Sequence, residues 1–140
     1  MFSKTNLIST LVGAVWSYIG GYLLWSKLGS SLFEGHEGSA TGLWKESPDQ
    51  VHNIIAGIVV AFAFSTIYSK LSNSGHTISD GATYGLLVGL FIGFGERWYD
   101  FAFANMMDMT GSIINGILNL VFYCILGILT SIIFNKVKSA

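Results

Sequence analysis

Hydrophobic residues are grouped along the chain into four long runs, separated by stretches richer in polar residues and glycine. The runs cover Asn6–Lys27, Pro48–Lys70, Gly81–Met106 and Gly111–Phe134. Each run reaches the roughly 20 residues that a helix needs to cross the hydrocarbon core of a bilayer. The pattern predicts an all-α membrane protein, in which residues 1–140 form one domain, a compact bundle of four transmembrane helices. The longest connection, residues 28–47, follows the first helix.

Local residues also indicate where the helices begin. Ser47 is a candidate cap for the second helix, with Pro48 in its first turn, where proline is tolerated. Asp80 and Thr110 are the corresponding candidate caps for the third and fourth helices. The first run is too long for the apolar segment of a signal peptide and no A-x-A cleavage site follows it, so we expect a retained helix.

Small residues recur every fourth position in the first three runs. This spacing places them along one helix face, and small residues mark the places where membrane helices approach one another closely. The third run has the clearest series of glycines, between residues 81 and 93. The residues predicted to pack helices together are Gly13, Ser17, Gly21, Gly57, Ala61, Gly81, Gly85, Gly89 and Gly93.

The glycine series of the third run leads into the charged residues Glu96, Arg97 and Asp100. In a regular helix these three charges lie within about 60° of Gly93, on the packed face. The opposite side carries bulky residues that we expect to face lipid, namely Tyr84, Leu87, Phe91, Phe94 and Trp98. A charge in a membrane helix costs roughly 2.5–3.5 kcal/mol at the centre, so a functional site is the first hypothesis.

Polar residues of two other helices are predicted at the same depth, from a rise of about 1.5 Å per residue. The candidate ligand or ion site therefore contains His52, Asn53, Glu96, Arg97, Asp100, Asn115 and Asn119. Arg97 suits an anionic group, whereas Glu96 or Asp100 suits a proton or a cation, and His52 suits a proton relay. The alternative is purely structural: the carboxylates neutralise Arg97, and the asparagines join helices by hydrogen bonds.

Composition narrows the possible functions. Hydrophobic residues make up 51% and charged residues 11% of the chain, against about 25% charged in soluble domains. The net charge of −1 gives no basic surface for nucleic acid, and the single cysteine, Cys124, forms no internal disulfide. No catalytic motif is present, so an enzyme acting on lipid has only the carboxylate pair in its favour. Glu34, His36 and Glu37 share a metal only if their loop turns sharply, so we expect neither a metal nor a cofactor.

Lysines and arginines at the ends of the runs predict the orientation in the membrane. Four helices place both termini on one side. That side carries Lys4, Lys70, Lys136 and Lys138, and the opposite side carries Lys27 and Lys45. The bias predicts cytoplasmic termini in a bacterial-type inner membrane.

The first run also carries a resemblance. It reads Gly13-Ala14-Val15-Trp16, then Tyr18, then Trp25-Ser26-Lys27, and the third run adds Gly85 and Gly89. This layout resembles a family of small bacterial four-helix membrane proteins of unknown function, a resemblance that implies a fold and no activity. The residues therefore support two functions: binding or transport of a small solute or ion, or a structural or accessory subunit. In either case the partners are the lipid bilayer and a homo-oligomer or larger membrane complex.

Overall fold

The computed structural model describes residues 2–72 and 75–138, and these residues form four long helices. The helices are α1 (Lys4–Leu32), α2 (Gln50–Leu71), α3 (Ile78–Phe103) and α4 (Met109–Lys138). All four are long and apolar enough to cross a membrane. No sheet occurs in the described ranges, which contain one isolated β-bridge, between Glu37 and Met107. The prediction of four helices that are long and apolar enough to span a membrane is confirmed.

The cap of α2 lies two residues further along the chain than Ser47, which was the predicted cap. The carboxylate of Asp49 accepts a hydrogen bond from the amide of His52 at 3.1 Å. Asp49 is therefore the N-cap, and the helix begins at Gln50. An aspartate satisfies an unpaired amide of the first turn as well as a serine does.

Helix α3 begins three residues before the predicted start because Thr77, not Asp80, is its cap. Thr77 and Asp80 form a reciprocal capping box, in which each side chain accepts from the other residue's amide. Helix α4 also begins earlier than predicted, since Asp108 rather than Thr110 caps it. The carboxylate of Asp108 accepts from the amide of Gly111 at 2.7 Å.

Helix α1 continues five residues beyond Lys27, where the sequence predicts a loop. Ser30 and Ser31 donate their hydroxyls to the carbonyls of Lys27 and Leu28, at 3.0 and 3.1 Å. These bonds within the helix hold the two serines in a helical backbone. The connection between α1 and α2 therefore begins only after Leu32.

The glycines of α3 lie directly against the backbone of α4. A methyl group added to any of the four would meet α4 atoms at contact distance or closer. The neighbours run in reverse order: Gly81 faces Gly127 and Ser131, Gly85 faces Tyr123 and Cys124, Gly89 faces Asn119 and Leu120, and Gly93 faces Gly116 and Asn119. The two helices are therefore antiparallel and separated by little more than their own backbones.

Small residues also join α1 to α2 and α4. A methyl on Gly13 would lie 2.9 Å from the Cβ of Ala61 in α2 and 3.1 Å from Leu126 in α4. One turn further along α1, Ser17 lies opposite Gly57, with 3.2 Å between the Ser17 Cβ and a methyl on Gly57. Helix α1 therefore runs between the other two helices at this level.

Gly21 does not pack against another helix, although the spacing places it on the same face of α1 as Gly13 and Ser17. A methyl group placed on Gly21 would meet no atom within 4 Å. The small residues of α1 therefore contact α2 only as far as Ser17, and Gly21 faces open space beside α1.

The core is rich in aromatic residues, and two residues that were expected to face lipid instead contact other helices. Its centre contains Phe64 of α2 and Phe122 of α4. Tyr84 of α3 donates its hydroxyl to the carbonyl of Phe64 at 3.0 Å, so it faces the other helices. Phe94 packs into the space left by Gly116, a neighbour that a helical-wheel angle does not reveal.

Two other residues from the predicted lipid face remain mostly exposed, and one does not. Leu87 and Phe91 lie on the outside of α3, whereas Trp98 is half-buried and stacks on Phe94 with ring centroids 6.0 Å apart.

A buried polar contact fastens α1 to α2 at the end opposite Arg97. The side-chain nitrogen of Asn6 donates to the Thr66 hydroxyl at 2.9 Å, and the Ser65 hydroxyl donates to the side-chain oxygen of Asn6 at 2.6 Å. All three residues are buried. Hydrogen bonds of this kind hold membrane helices together where apolar side chains gain little by leaving lipid.

Candidate functional site

The three charges of α3 form one cluster, with Arg97 between two carboxylates. The Nε of Arg97 lies 3.3 Å from Oε2 of Glu96, and its Nη1 lies 3.3 Å from Oδ2 of Asp100. The side chains of Arg97, Glu96 and Asp100 are 50%, 56% and 42% exposed, respectively. The cluster is therefore only half-buried, in contrast to the fully packed position that the helical angles predict.

A π-helical segment of α3, Phe91–Glu96, explains the difference. Within it the amide of Arg97 donates to the carbonyl of Ile92, five residues earlier, at 2.8 Å. The wider turn changes the rotation of every residue that follows, so angles counted from Gly93 no longer hold. Segments of this kind are rare and occur frequently at functional sites.

A second π-helical segment, Tyr22–Leu28, lies in α1 and places a tryptophan against α4. Its Trp25 donates from Nε1 to the side-chain oxygen of Asn115 at 2.8 Å. Asn119 in turn donates to the backbone carbonyl of Asn115 at 2.8 Å. The two predicted asparagines are thus adjacent, and Asn115 links α1 to α4. The contact between Trp25 and Asn115 was not predicted from the sequence.

A small cavity lies between α3 and α4 beside the charge cluster. Its volume is about 20 Å³, which holds about one water molecule or one ion of similar size. The wall consists of Arg97, Asp100, Phe101, Met106, Met107, Ser112 and Asn115. Of the predicted site residues, Arg97, Asp100 and Asn115 therefore share one cavity. Glu96 and Asn119 lie next to it through their contacts with Arg97 and Asn115.

The connection between α1 and α2 pairs with the segment that forms one side of this cavity. Gly38 donates its amide to the carbonyl of Met106 at 2.9 Å, and Ala40 donates to Asn105 at 3.0 Å. We call this pairing of residues 36–40 with residues 105–108 the loop clip. The clip therefore holds Met106, a residue of the cavity wall, by a backbone hydrogen bond.

An ionic contact completes the loop clip. The Nδ1 of His36 lies 2.9 Å from Oδ2 of Asp108, and the Asp108 amide donates to the His36 carbonyl at 3.0 Å. The Gly111 amide first, and the His36 side chain second, lower the pKa of Asp108. Among the described residues no group of three His, Cys, Asp or Glu side chains could hold a metal ion.

His52 and Asn53 do not join the cavity, in contrast to the prediction. The Nδ1 of His52 lies 2.7 Å from Asp49, and its side chain is exposed. Asn53 lines a separate groove between α1 and α2. The prediction used depth alone, and depth does not specify which neighbour a helix contacts.

Comparisons of the chain with protein-family models, curated proteins and solved structures found no match. The resemblance in α1 and α3 therefore stays an expectation. The geometry of the cavity and its neighbours is the basis for the function proposed below.

Proposed function

We propose that this is a single-domain, multi-pass protein of a bacterial-type inner membrane, folded as a compact bundle with both termini in the cytoplasm. Four helices of sufficient length and the antiparallel contacts between them support this arrangement. The excess of lysines at the ends that carry Lys4, Lys70 and Lys136 supports the orientation. The side chain of Lys138, also used in that prediction, lies outside the described residues.

We further propose that the protein binds a small cation in the cavity beside Arg97, as one step of its transport. The observation that carries this proposal is the cavity itself, which joins Asp100, Ser112 and Asn115 in a volume of about 20 Å³. That volume accommodates an ion or a water molecule and excludes larger solutes. Oxygen atoms of carboxylate, hydroxyl and amide groups suit a hard cation such as Na⁺ or a hydrated proton.

The charge balance favours a cation over an anion. Arg97 contributes one positive charge, and ionised Glu96 and Asp100 contribute two negative charges, so the cluster carries one net negative charge. The guanidinium is also already engaged by both carboxylates at 3.3 Å. An anion would have to displace one of them.

Flux measurements in proteoliposomes test this function, with Na⁺, K⁺ and H⁺ each tested as the permeant ion. The Asp100→Asn variant removes the charge that borders the cavity and keeps the side-chain shape. We expect it to lower the flux about ten-fold or more, the usual effect of losing one charged hydrogen-bonding group. Glu46→Gln, which neutralises an exposed carboxylate in the first connection, is the matched control and leaves the flux unchanged.

The proposal is wrong if the correctly folded wild-type protein carries none of the three ions. It is equally wrong if Asp100→Asn and Glu46→Gln transport at the same rate as the wild type. Circular dichroism spectra and gel-filtration profiles identify variants that fold.

The second candidate function is that of a structural or accessory subunit of a larger complex or homo-oligomer. The local pairing of Arg97 with carboxylates on its own helix favours it, because such a cluster can stabilise α3 without any ligand. Crosslinking in native membranes distinguishes the two: a specific protein partner, together with absent ion flux, supports the subunit role.

A further inference from the structure

A groove far larger than the ion cavity lies between α1 and α2. Its volume is about 610 Å³, within the roughly 300–1,000 Å³ typical of sites for small organic molecules. None of the residues that line it also lines the cavity beside Arg97. The groove is therefore a separate feature of the molecule, on the side of α1 away from that cavity.

Two glycines determine where the groove opens and where it ends. Gly21 lines it and has no atom within 4 Å of where a side chain would begin. At Gly57 the helices meet again, since a methyl there would lie 3.2 Å from the Ser17 Cβ. The groove is therefore a pocket limited to one end of the α1 and α2 pair, and it does not run along their full length.

The lining combines apolar and polar residues. Ile19 and Leu23 of α1 are apolar. Ser26 on α1, and Gln50 and Asn53 on α2, supply polar groups. The groove is thus amphipathic, and Ser26 and Gln50 mark its end nearer the connection between the helices, the polar end.

A positive charge lies beside the polar end. The Nζ of Lys27 lies 5.9 Å from the ring centroid of Tyr22, a residue that lines the groove, an arrangement that orients the ammonium group. The carboxylate of Asp49, which precedes Gln50, is engaged by His52, whose amide and Nδ1 lie 3.1 and 2.7 Å from its oxygens. Lys27 therefore supplies a positive charge beside this end of the groove.

We propose that this groove binds one phospholipid, with an acyl chain along Ile19 and Leu23 and the phosphate near Lys27. The ammonium group of Lys27 complements the negative charge of the phosphate. A helix from a second copy is a poorer occupant, because the contact between Gly57 and Ser17 closes the groove before a long helix could lie in it. The proposal is independent of the ion site.

Native mass spectrometry of the detergent-purified protein, titrated with palmitoyl-oleoyl phosphatidylethanolamine, tests this site. We expect one tightly held lipid per wild-type protomer. Gly21→Leu introduces a large side chain into the groove from a position where no atom lies within 4 Å of its Cβ, and it should lower lipid affinity at least ten-fold. Gly21→Ala should keep most of the binding. Ala56→Leu, which introduces the same side chain on an exposed position of α2 that does not line the groove, should keep all of it.

A second variant tests the headgroup contact and does not depend on the behaviour of Gly21→Leu. Lys27→Gln should weaken binding of the phospholipid about five-fold, the usual effect of one lysine near a lipid phosphate. It should not change binding of dioleoylglycerol, a diacyl lipid that has no phosphate.

Three results would overturn the proposal. The first is a wild-type protein that retains no phospholipid, and the second is equal lipid binding by wild type, Gly21→Leu and Lys27→Gln. The third is a wild-type dimer that Gly21→Leu converts to a lipid-free monomer, since the groove would then hold a second copy of the chain.

Discussion

Gly85 is one of the positions where the backbones of α3 and α4 approach closely. A methyl group there would collide with the carbonyl of Tyr123 and lie 2.8 Å from the Cα of Cys124. Backbone atoms cannot rotate away as a side chain can, so Gly85→Ala must separate the two helices. We expect a loss of about 1–3 kcal/mol in the free energy of unfolding, the usual cost of overpacking, measured by unfolding the detergent-solubilised protein.

The same substitution at Gly21 is the matched control. No atom lies within 4 Å of the new methyl, and alanine favours a helix by up to about 1 kcal/mol over glycine. Gly21→Ala should therefore leave the protein unchanged or slightly more stable. Equal destabilisation by both substitutions would show that contact with α4 does not determine the effect at Gly85.

At the residue scale, the sequence identifies the helix faces that carry small residues, but not the helices that pack against them. The spacing of the α3 glycines is sufficient to predict their face, and each lies against α4. Gly21 obeys the same spacing and packs against nothing. Tyr84 was assigned to lipid by its angle, yet it bonds to Phe64. Such partners depend on which helix lies nearby, and four similar apolar helices do not specify this in their sequences.

At the scale of the elements, the two π-helical segments determine which side chains of α1 and α3 lie at or beside the cavity. Trp25 in the first segment donates to Asn115 at 2.8 Å. Trp25→Phe keeps an aromatic ring and removes the donor, so we expect a loss of about 0.6 kcal/mol and at most about 1.7 kcal/mol, the average and the maximum for hydrogen bonds between membrane helices. Equilibrium unfolding in mixed detergent micelles measures it.

Trp44→Phe is the control for that variant. Trp44 is 81% exposed and lies in the first connection, so the substitution should not change stability. If both variants unfold like the wild type, the contact between Trp25 and Asn115 does not hold α1 to α4.

The π-helical segments also explain why the site could be predicted only in part. The sequence placed Asp100 and Asn115 at one depth, and both line the cavity. It did not predict that Glu96 and Arg97 would be half exposed, because the wider turn before Arg97 has no marker in the sequence. Apolar side chains and glycine fill both π-helical and α-helical turns equally well.

The loop clip should depend on pH through Asp108. Hydrogen bonds of the folded state hold the pKa of Asp108 below its ordinary value, which is about 3.9. A lowered folded-state pKa stabilises the clip at pH values above about 4, and this stabilisation is lost as the pH falls through the folded pKa. We expect the Gly38 and Ala40 amides to exchange faster in acid, after correction for intrinsic rates, in hydrogen-exchange measurements.

Asp108→Asn keeps an oxygen for the Gly111 amide and removes the charge. Its clip amides should exchange faster at neutral pH and show no further acid step. Asp49→Asn is the control, because the pKa of Asp49 is also lowered but its partner is His52, outside the clip. An acid step that persists in Asp108→Asn would assign the pH dependence to another group.

At the scale of the whole molecule, the number of helices follows from the four hydrophobic runs, and their minimum length follows from the thickness of a bilayer. Hydrophobicity does not determine which helices lie next to one another. The sequence placed polar residues of α2 beside those of α3 and α4, yet at the Arg97 end α2 contacts α1, where Tyr18 bonds to Gln50 at 3.1 Å. The groove between these helices was therefore not predicted, although Gly21 and Asn53 had both been identified as notable residues.

The orientation in the membrane is the remaining prediction at this scale. Lysines at the ends of the helices predict that the loop clip lies outside the cell and that the connection between α2 and α3 lies in the cytoplasm. Cys124, the single native cysteine, is replaced by alanine, and a cysteine is introduced at either Ala40 or Gly75. Both positions are exposed, and no atom would lie within 4 Å of a side chain starting at Gly75.

A membrane-impermeant maleimide added to intact cells should label Ala40→Cys at once. Gly75→Cys should react only after the membrane is permeabilised. The reverse pattern would place the termini outside, and it would turn the cavity beside Arg97 towards the cytoplasm. The ion would then meet Asp100 from the cytoplasmic side, so the same labelling result also determines from which side proteoliposome flux must be started to reach the site first.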